Sequence, residues 1–355
     1  MKKNIILILP NAGGGGSEKV LINLANLLSI QFNVTLCFIN LNKYDYLKLI
    51  EKKIKIINLN KKSSKRSFFK LLKIINENKY EYVLSSIFHI NVLSILLKFF
   101  SFNSFKLIIR ETNKIYLKEK NFIKLFLIFI FYRFANLIIS PSKLINKELA
   151  SLRIKKKKIK HLNNPVIINQ KNNKEKLKKI EHFLSKDKYL ITMTRLEKHK
   201  NIDFILDCVK EVNKYVNLKL IILGDGNQKK KLNTIIKRLG LIKKVKIVKF
   251  LSYPYDILKN SSIYVNSSYY EGQSNSVLEA LYFNIPVVSA NNGSHTYFIK
   301  KYSYGYVFDK FDKDKVTKKI LRLIYKKPKK INLNFYNEIN GLNITKRFIK
   351  LINNI

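Results

Sequence analysis

The sequence predicts an α/β protein of two similar halves, each a doubly wound parallel sheet with helices on both faces. First, apolar runs and segments of helical periodicity alternate along the chain, the pattern of parallel strands joined by crossover helices. Second, a lysine-rich stretch of low complexity at 169–186 interrupts this alternation, which then restarts. Third, a glycine-rich or polar turn follows the first strand of each half, where open α/β sheets hold their ligands. A chain of 355 residues is long enough for two such domains.

NIILILP (4–10) is a buried strand, GGGGSE (13–18) a turn, and 17–28 a helix with apolar residues at helical spacing. NVTLCFIN (33–40) is the next strand, and 67–78 is an amphipathic basic helix. YVLSSIF (82–88), KLIIRE (106–111) and LIIS (137–140) are further strands, and LNNPVI (162–167) ends the set. In the second half, YLITMTRL (189–196) and LKLIILGDG (218–226) each run from a strand into a polar turn. VKIVKFL (245–251), IYVNSS (263–268) and IPVVSAN (285–291) complete it. The expected domains are 1–165 and 166–342. The helix at 343–355 follows the second half and is expected to pack back on the first.

Hydrophobic residues make up 46% of the chain, a globular composition. Lys and Arg number 69 against 23 Asp and Glu, a net charge of +46. So basic a chain suits nucleic acid, an anionic membrane or an anionic substrate. Lys, Asn and Ile are abundant together, so AT-rich coding accounts for part of the excess. No nucleic-acid module with interleaved aromatics is legible, which leaves an anionic membrane surface and phosphates as the expected partners. Cys37 and Cys208 show neither a disulfide framework nor metal-ligand spacing, and a reducing cytoplasm is expected. The first residues run into glycines without a cleavage pattern, so no secretory signal is expected. FIKLFLIFIFYRF (122–134) is too short to span a bilayer, which takes about 20 residues. A buried helix is the default there, and a helix dipping into one leaflet the alternative.

Four strings carry candidate chemistry. GGGGSE sits between a strand and a helix, as a phosphate-binding turn does, though a turn without a ligand would look the same. Glu18 replaces the third glycine of a dinucleotide fingerprint, and the GK[ST] ending of a P-loop is missing. In TRLEKHKN (194–201), Arg195 and Lys200 leave a strand end and can neutralise a diphosphate without a metal, with an ordinary solvated basic loop as the alternative in so basic a chain. In LGDGNQKKKL (223–232), Asp225 is expected to shape the turn. EGQSNSVLEA (271–280) brings two carboxylates to a helix start. Asn275 or Ser276 is expected to cap that helix, with amides around Ser276 and Val277 facing a phosphate. Glu279, expected in the first turn, would grip ribose hydroxyls, and Glu271 would reach the sugar. DKD (312–314) precedes a basic helix, so Asp312 or Asp314 reads as a cap and not as a metal ligand.

EGQSNSVLEALYFNIPVVSANNG resembles the signature of the retaining glycosyltransferase family 4. GGGGSEKVLINLANLL, TRLEKHKNIDFIL, LGDGNQKKKL and NNPV resemble further strings of that family, in order. The resemblance covers nearly the whole chain. It implies a GT-B fold, with two Rossmann-like domains facing a cleft. The N-terminal domain would bind the acceptor and the C-terminal domain the nucleotide-sugar. Carried over, Arg195 and Lys200 hold the diphosphate, Glu279 the ribose, and Glu271 the donor sugar near the reacting carbon. Gly14, Gly15 and Gly16 approach the phosphates. His89, in SSIFHINVL, matches a histidine facing the donor sugar, with a core histidine as the alternative. Arg110 and Glu111 are candidates for acceptor or sugar contact. Asn284 stands where the family has Gly, and Tyr297, in GSHTY (293–297), where it has Glu.

The resemblance implies a metal-independent, retaining transfer that needs no cofactor. A hexose or N-acetylhexosamine would move from a nucleotide-sugar, expected to be UDP-linked, to a lipid-linked saccharide. The expected setting is the cytoplasmic face of a bacterial membrane, in the synthesis of surface polysaccharide, O-antigen or other glycan. The alternatives are a catalytically degenerate GT-B protein acting as a membrane-surface binding module, and a nicotinamide-dependent oxidoreductase using the glycines at 13–16.

Overall fold

The computed structural model describes residues 2–13, 15–42, 46–113, 115, 122–168, 180–184, 187–329 and 331–355. Gly14 and most of the lysine-rich stretch lie outside the described residues. The chain divides into two units, Met1–Ile167 with Glu338–Ile355, and Ile168–Asn337.

Among the described residues the first unit holds seven parallel strands: β1 (Asn4–Leu9), β2 (Asn33–Phe38), β3 (Lys55–Asn58), β4 (Tyr82–Ser86), β5 (Lys106–Arg110), β6 (Leu137–Ser140) and β7 (Ile159–His161). Their order is β3-β2-β1-β4-β5-β6-β7. Central β1 pairs in register with β2 and with β4, and Ile5 to Leu9 are all buried. That burial on both faces explains its unbroken apolar run. The sequence missed β3 and β7, the two edges of the sheet. β3 is largely exposed and carries Lys55, and β7 has three residues, so neither has a clear apolar signal. LNNPVI forms no strand. It follows β7, Pro165 interrupts it, and Val166 makes only an isolated bridge to Asn340.

One face of this sheet is covered by the helices Phe68–Glu77, Phe88–Phe100, Phe122–Phe131 and Lys143–Ser151. Leu71, Ile90, Ile128 and Ile145 pack with Ile6, Val83 and Ile138 in one core. The helix Phe122–Phe131 is only half a core helix, which corrects the default expectation. Ile128 is fully buried, but Phe122, Ile123 and Phe126 are 62–73% exposed. Among the described residues, no helix is long and apolar enough to cross a membrane. The C-terminal helix Gly341–Asn353 belongs to this unit and packs on the helix Gly16–Leu28. Asn340 caps it, its Oδ1 accepting from the N–H groups of Leu342 and Asn343 at 2.9 and 3.3 Å.

The second unit holds β8 (Tyr189–Met193), β9 (Lys219–Leu223), β10 (Val245–Val248), β11 (Ile263–Asn266), β12 (Val287–Ala290) and β13 (Gly305–Phe308). Their order is β10-β9-β8-β11-β12-β13, again parallel throughout. The sequence missed edge strand β13, which opens on a glycine. Gly305 has φ +133°, and a Cβ there would fall 1.9 Å from Val287 O. Asn284 has φ +55°, the left-handed turn that asparagine tolerates. Its side chain accepts from Ile331 N–H at 2.9 Å and donates to Tyr336 Oη at 2.7 Å, fixing the segment 331–336.

In each sheet the strand order reverses between the first and fourth strands of that sheet, at β1/β4 and at β8/β11. Open α/β sheets bind ligands beyond the carboxyl ends of strands at such a switch point. The chain leaving β8 enters Arg195–Lys200, and the chain leaving β11 enters Ser267–Glu271.

Candidate active site

Two loops meet at the switch point of the second unit. The first, after β8, closes in a short 3-10 turn at Lys198–Lys200, with Asn201 left-handed at φ +50°. The second, after β11, is laced to it. Ser267 Oγ lies 2.9 and 2.8 Å from the carbonyl oxygens of Lys200 and Asn201, and Tyr269 N–H donates to His199 O at 2.8 Å. The imidazole of His199 stacks on Tyr270, with centroids 4.9 Å apart. The turn after β9 braces the first loop from behind. Leu196 N–H donates to Asp225 O, and Gln228 N–H donates to Leu196 O, both at 2.9 Å. Asp225 Oδ1 accepts from Gly226 N–H at 3.0 Å, the turn-shaping role expected of it.

This lacing places Lys200 against Glu271. Their Nζ and Oε1 are 2.5 Å apart, with side chains 11% and 17% exposed. Ser268 Oγ donates to the same Oε1 at 3.0 Å. Burial alone would raise the Glu271 carboxyl. The charge and hydrogen bond of Lys200, aided by His295 and Ser268, outweigh burial and hold it below the ordinary carboxylate range. The sequence had assigned Lys200 to a diphosphate and Glu271 to a sugar, and the fold makes them one buried ion pair. An ammonium has three donors, so the bond to Glu271 leaves capacity for an anion. Arg195 is exposed at the mouth of the same loop.

The helix Asn275–Tyr282 follows at once. Its cap is Ser274, with extended backbone, and not Asn275 or Ser276, which occupy its first two positions. Glu279 therefore lies in the second turn and not the first, and it is 5% exposed. The Ser274 side chain makes no capping bond but lies 3.2 Å from Ser276 Oγ, which accepts from Tyr264 Oη at 2.7 Å. The first-turn amides of Ser276 and Val277 thus have no intrahelical acceptor, the condition for holding an anion.

Behind both groups stands a residue that the sequence did not single out. His295 is fully buried. Its Nδ1 accepts from Ser274 N–H at 3.3 Å, and its Nε2 lies 3.1 Å from Ser289 Oγ and 3.2 Å from Asn266 Nδ2. With Nδ1 accepting, the ring is neutral and donates from Nε2 to Ser289 Oγ, which donates on to Ala290 O at 3.0 Å. Burial drives its pKa down to about 4. Glu271 pulls the other way, and Lys200 adds to the fall. His295 thus ties the helix start to β11 and β12 and touches the electrostatics of Glu271. GSHTY carried the signal, and its Tyr297 is 53% exposed with Lys301 over the ring.

Gly293 allows this approach. A Cβ there would stand 2.8 Å from His295 Nδ1 and 2.9 Å from Glu271 Cβ. We expect Gly293→Ala to lower stability by about 1–3 kcal/mol, the usual cost of overpacking. It is also expected to reduce nucleotide affinity, because Glu271 and Ser274 must shift. Melting curves with and without nucleotide check both, and an unchanged melt would contradict the packing argument.

The remaining candidates lie in the first unit. Gly15 caps the helix Gly16–Leu28, and a Cβ there would fall 2.1 Å from Glu18 Oε2, so this helix start already carries its own carboxylate. His89 is exposed at the second position of the helix Phe88–Phe100 and is not a core histidine, with partial desolvation lowering its pKa. Just before it, Ile87 has φ +77° and ψ 133°, a strained conformation for a β-branched residue. Arg110 is 4% exposed, and its Nη2 donates to Asn164 Oδ1 at 2.5 Å. Its Nη1 lies 3.4 and 3.5 Å from Ser17 Oγ and Ser86 Oγ. Burial lowers its pKa to about 10, against the pull of Glu111 and Glu18. Glu111 has a different occupation from the acceptor contact expected of it. It is fully buried and accepts from Tyr132 Oη at 2.7 Å and from the N–H groups of Thr112 and Asn113 at 3.1 Å. Asp312 is the cap expected of DKD, its Oδ1 accepting from Lys315 N–H at 3.0 Å.

Residues 173–338, which carry both loops, Glu279 and His295, match the profile of Glycosyl transferases group 1. The match spans a little under half of the chain. A glycosyltransferase of Campylobacter jejuni is 28% identical over 303 residues, 81% of this chain and 80% of that protein. It is an N-acetylgalactosamine-N,N'-diacetylbacillosaminyl-diphospho-undecaprenol 4-alpha-N-acetylgalactosaminyltransferase. An uncharacterized glycosyltransferase of Methanocaldococcus jannaschii is 36% identical over 167 residues, 45% of this chain and 41% of that protein. The chain thus spans less than half of the one relative and four-fifths of the other. Among solved structures, Anabaena HepE in complex with UDP and glucose superposes with a TM-score of 0.83 at 16% identity, covering 99% of this chain and 100% of that one. The lipopolysaccharide outer core galactosyltransferase WaaB superposes with a TM-score of 0.72 at 18% identity, covering 99% of both chains. The chain has the GT-B fold, two Rossmann-like units whose described residues form parallel sheets of seven and six strands.

Proposed function

We propose that the protein is a retaining, metal-independent glycosyltransferase. It moves a hexose or N-acetylhexosamine from a UDP-sugar to a hydroxyl of a lipid-linked saccharide at the cytoplasmic face of a membrane. The observation that carries this reading is the buried Lys200–Glu271 pair beside the start of the helix that bears Glu279. The pair offers a fixed ammonium, and the helix offers amides, for the two ends of a diphosphate. Arg195 adds charge at the mouth, and Glu279 accepts from the ribose hydroxyls. Glu271 orients the sugar near the anomeric carbon. In the transfer, the bond from that carbon to the diphosphate oxygen breaks as the acceptor oxygen bonds to it. The acceptor's proton passes to the departing diphosphate, so the new bond forms on the face the leaving group vacates. Cations on that diphosphate lower the barrier electrostatically. The acceptor class is supported by the undecaprenol-linked substrate in the name of the Campylobacter relative.

A thermal-shift panel of UDP-, GDP- and ADP-sugars tests the donor. A UDP-N-acetylhexosamine or UDP-galactose is expected to stabilise the protein by about 2.7 kcal/mol at a hundred times its Kd, and GDP-mannose less. Glu279→Ala is expected to remove most of that shift. A wild-type protein that neither binds nor turns over any donor sinks the enzymatic reading. It would leave a degenerate GT-B protein that binds membranes.

A further inference from the structure

A cluster of phenylalanines stands exposed on the helical face of the first unit. Phe69, Phe100 and Phe102 are 82%, 60% and 94% exposed, and Phe99 and Phe134 are 54% and 41% exposed. Two groups of ring contacts bridge neighbouring elements. Phe68 meets Phe69 at 5.4 Å and Phe100 at 5.7 Å, and Phe99 meets Phe134, in the 3-10 turn Tyr132–Phe134, at 4.7 Å. The most exposed ring sits on a fixed backbone. Phe102 N–H and Ser101 Oγ both donate to Asn76 Oδ1, at 3.1 and 2.8 Å, and Asn103 Nδ2 donates to the carbonyls of Ile75 and Asn76. The fold therefore holds this apolar ring in water, where it gains nothing. An apolar patch so displayed marks an interaction surface.

The surrounding charge is positive. Lys98 Nζ donates to Phe134 O at 3.0 Å, and Lys158 Nζ donates to Arg133 O at 2.6 Å and to Ala135 O at 2.9 Å. Burial and then two further cations, Lys158 and Lys106, lower the pKa of Lys98, so the charges acting on it are repulsive. A symmetric dimer through this face would set the same patch against itself, lysine against lysine. A bilayer with anionic headgroups satisfies both halves of the surface, taking the rings between its lipids and the lysines at its phosphates.

We propose that this phenylalanine face, formed by the helices Phe68–Glu77 and Phe88–Phe100 and the Tyr132–Phe134 turn, docks the protein on an anionic lipid bilayer. The proposal deepens the function proposed above and rests on it for the presence of a membrane-held acceptor. The test is flotation of the full chain with vesicles of phosphatidylcholine alone or with about 30% phosphatidylglycerol. The wild type is expected to float with the anionic vesicles only, and high salt is expected to weaken that binding. Phe69→Ser/Phe100→Ser/Phe102→Ser is expected to bind at least about tenfold more weakly, each ring's burial being a substantial share of the affinity. Phe102→Ser alone, at a ring with 6% of its surface covered, tests the same point with no risk to folding. Wild-type failure to float, undiminished flotation of both variants, or phenylalanine-dependent dimers without lipid would overturn the proposal. Nucleotide-induced thermal shifts are read on the same samples. Flotation without any donor shift keeps the docking face and removes the transferase reading, and a donor shift without flotation does the reverse.

Discussion

Lys200→Ala is expected to destabilise the protein by about 3 kcal/mol and to cut glycosyl transfer at least about a hundredfold. The stability loss follows from what the substitution leaves behind. Glu271 stays buried, held by Ser268 Oγ but without its cation. Breaking a buried pair by removing one partner costs more than the pair contributes, because the remaining charge is still desolvated. Removing both partners should therefore restore part of the loss, which a double-mutant cycle with Glu271→Ala would show. The pH dependence gives a sharper check. In the wild type the Glu271 carboxyl is held below its ordinary value. Its contribution is complete above the unfolded pKa near 4.5 and is lost as pH falls through the lower folded value. Without Lys200, burial prevails and the carboxyl rises, so the sign inverts and the variant loses stability as pH rises through that range. Urea midpoints of the two proteins should converge in acid and separate towards neutrality. Parallel curves would show that the pair is not coupled as its geometry requires.

The second expectation concerns His295, whose pKa lies at about 4 against an ordinary 6.5. Between those values the unfolded chain binds a proton that the folded protein refuses, so stability rises with pH there. The contribution is complete above 6.5 and is lost as pH falls towards 4, an amount of roughly 3 kcal/mol. His295→Gln keeps a polar side chain that can accept from Ser274 N–H but does not titrate. It is expected to be less stable at pH 7 and to lose much less between pH 7 and 4.5. Steep and equal losses in the two proteins would place the acid sensitivity elsewhere. A weaker nucleotide-induced shift in the variant at pH 7 would add evidence that His295 positions the helix start. Unchanged binding would confine it to stability.

The strands at the centre of each sheet were legible because burial on both faces demands an unbroken apolar run. Ile5 to Leu9 and Leu220 to Leu223 could hardly read otherwise. β3, β7 and β13 were missed because edge strands meet water and need no such run. The signature EGQSNSVLEA located the candidate site, since carboxylates, small polar residues and a helix start lie together in sequence. Its details did not follow from it. Ser274 became the cap because its backbone is extended while Asn275 is already helical, and that moved Glu279 one turn inward.

By itself the sequence determined two α/β units, their central strands, and the strings where charge and helix starts coincide. Those properties are local: periodicity, turn chemistry and the spacing of a few residues. The tertiary structure decided partners. It set Lys200 on Glu271 from a different strand end, and His295 behind Ser274 across 21 residues. It folded Glu111 inward onto Tyr132 and turned His89 outward. It also gathered Phe69, Phe100 and Phe134 onto one face. Such pairings depend on which strands are neighbours in the sheet, and that order, reversed at β1/β4 and β8/β11, is set by packing over the whole chain.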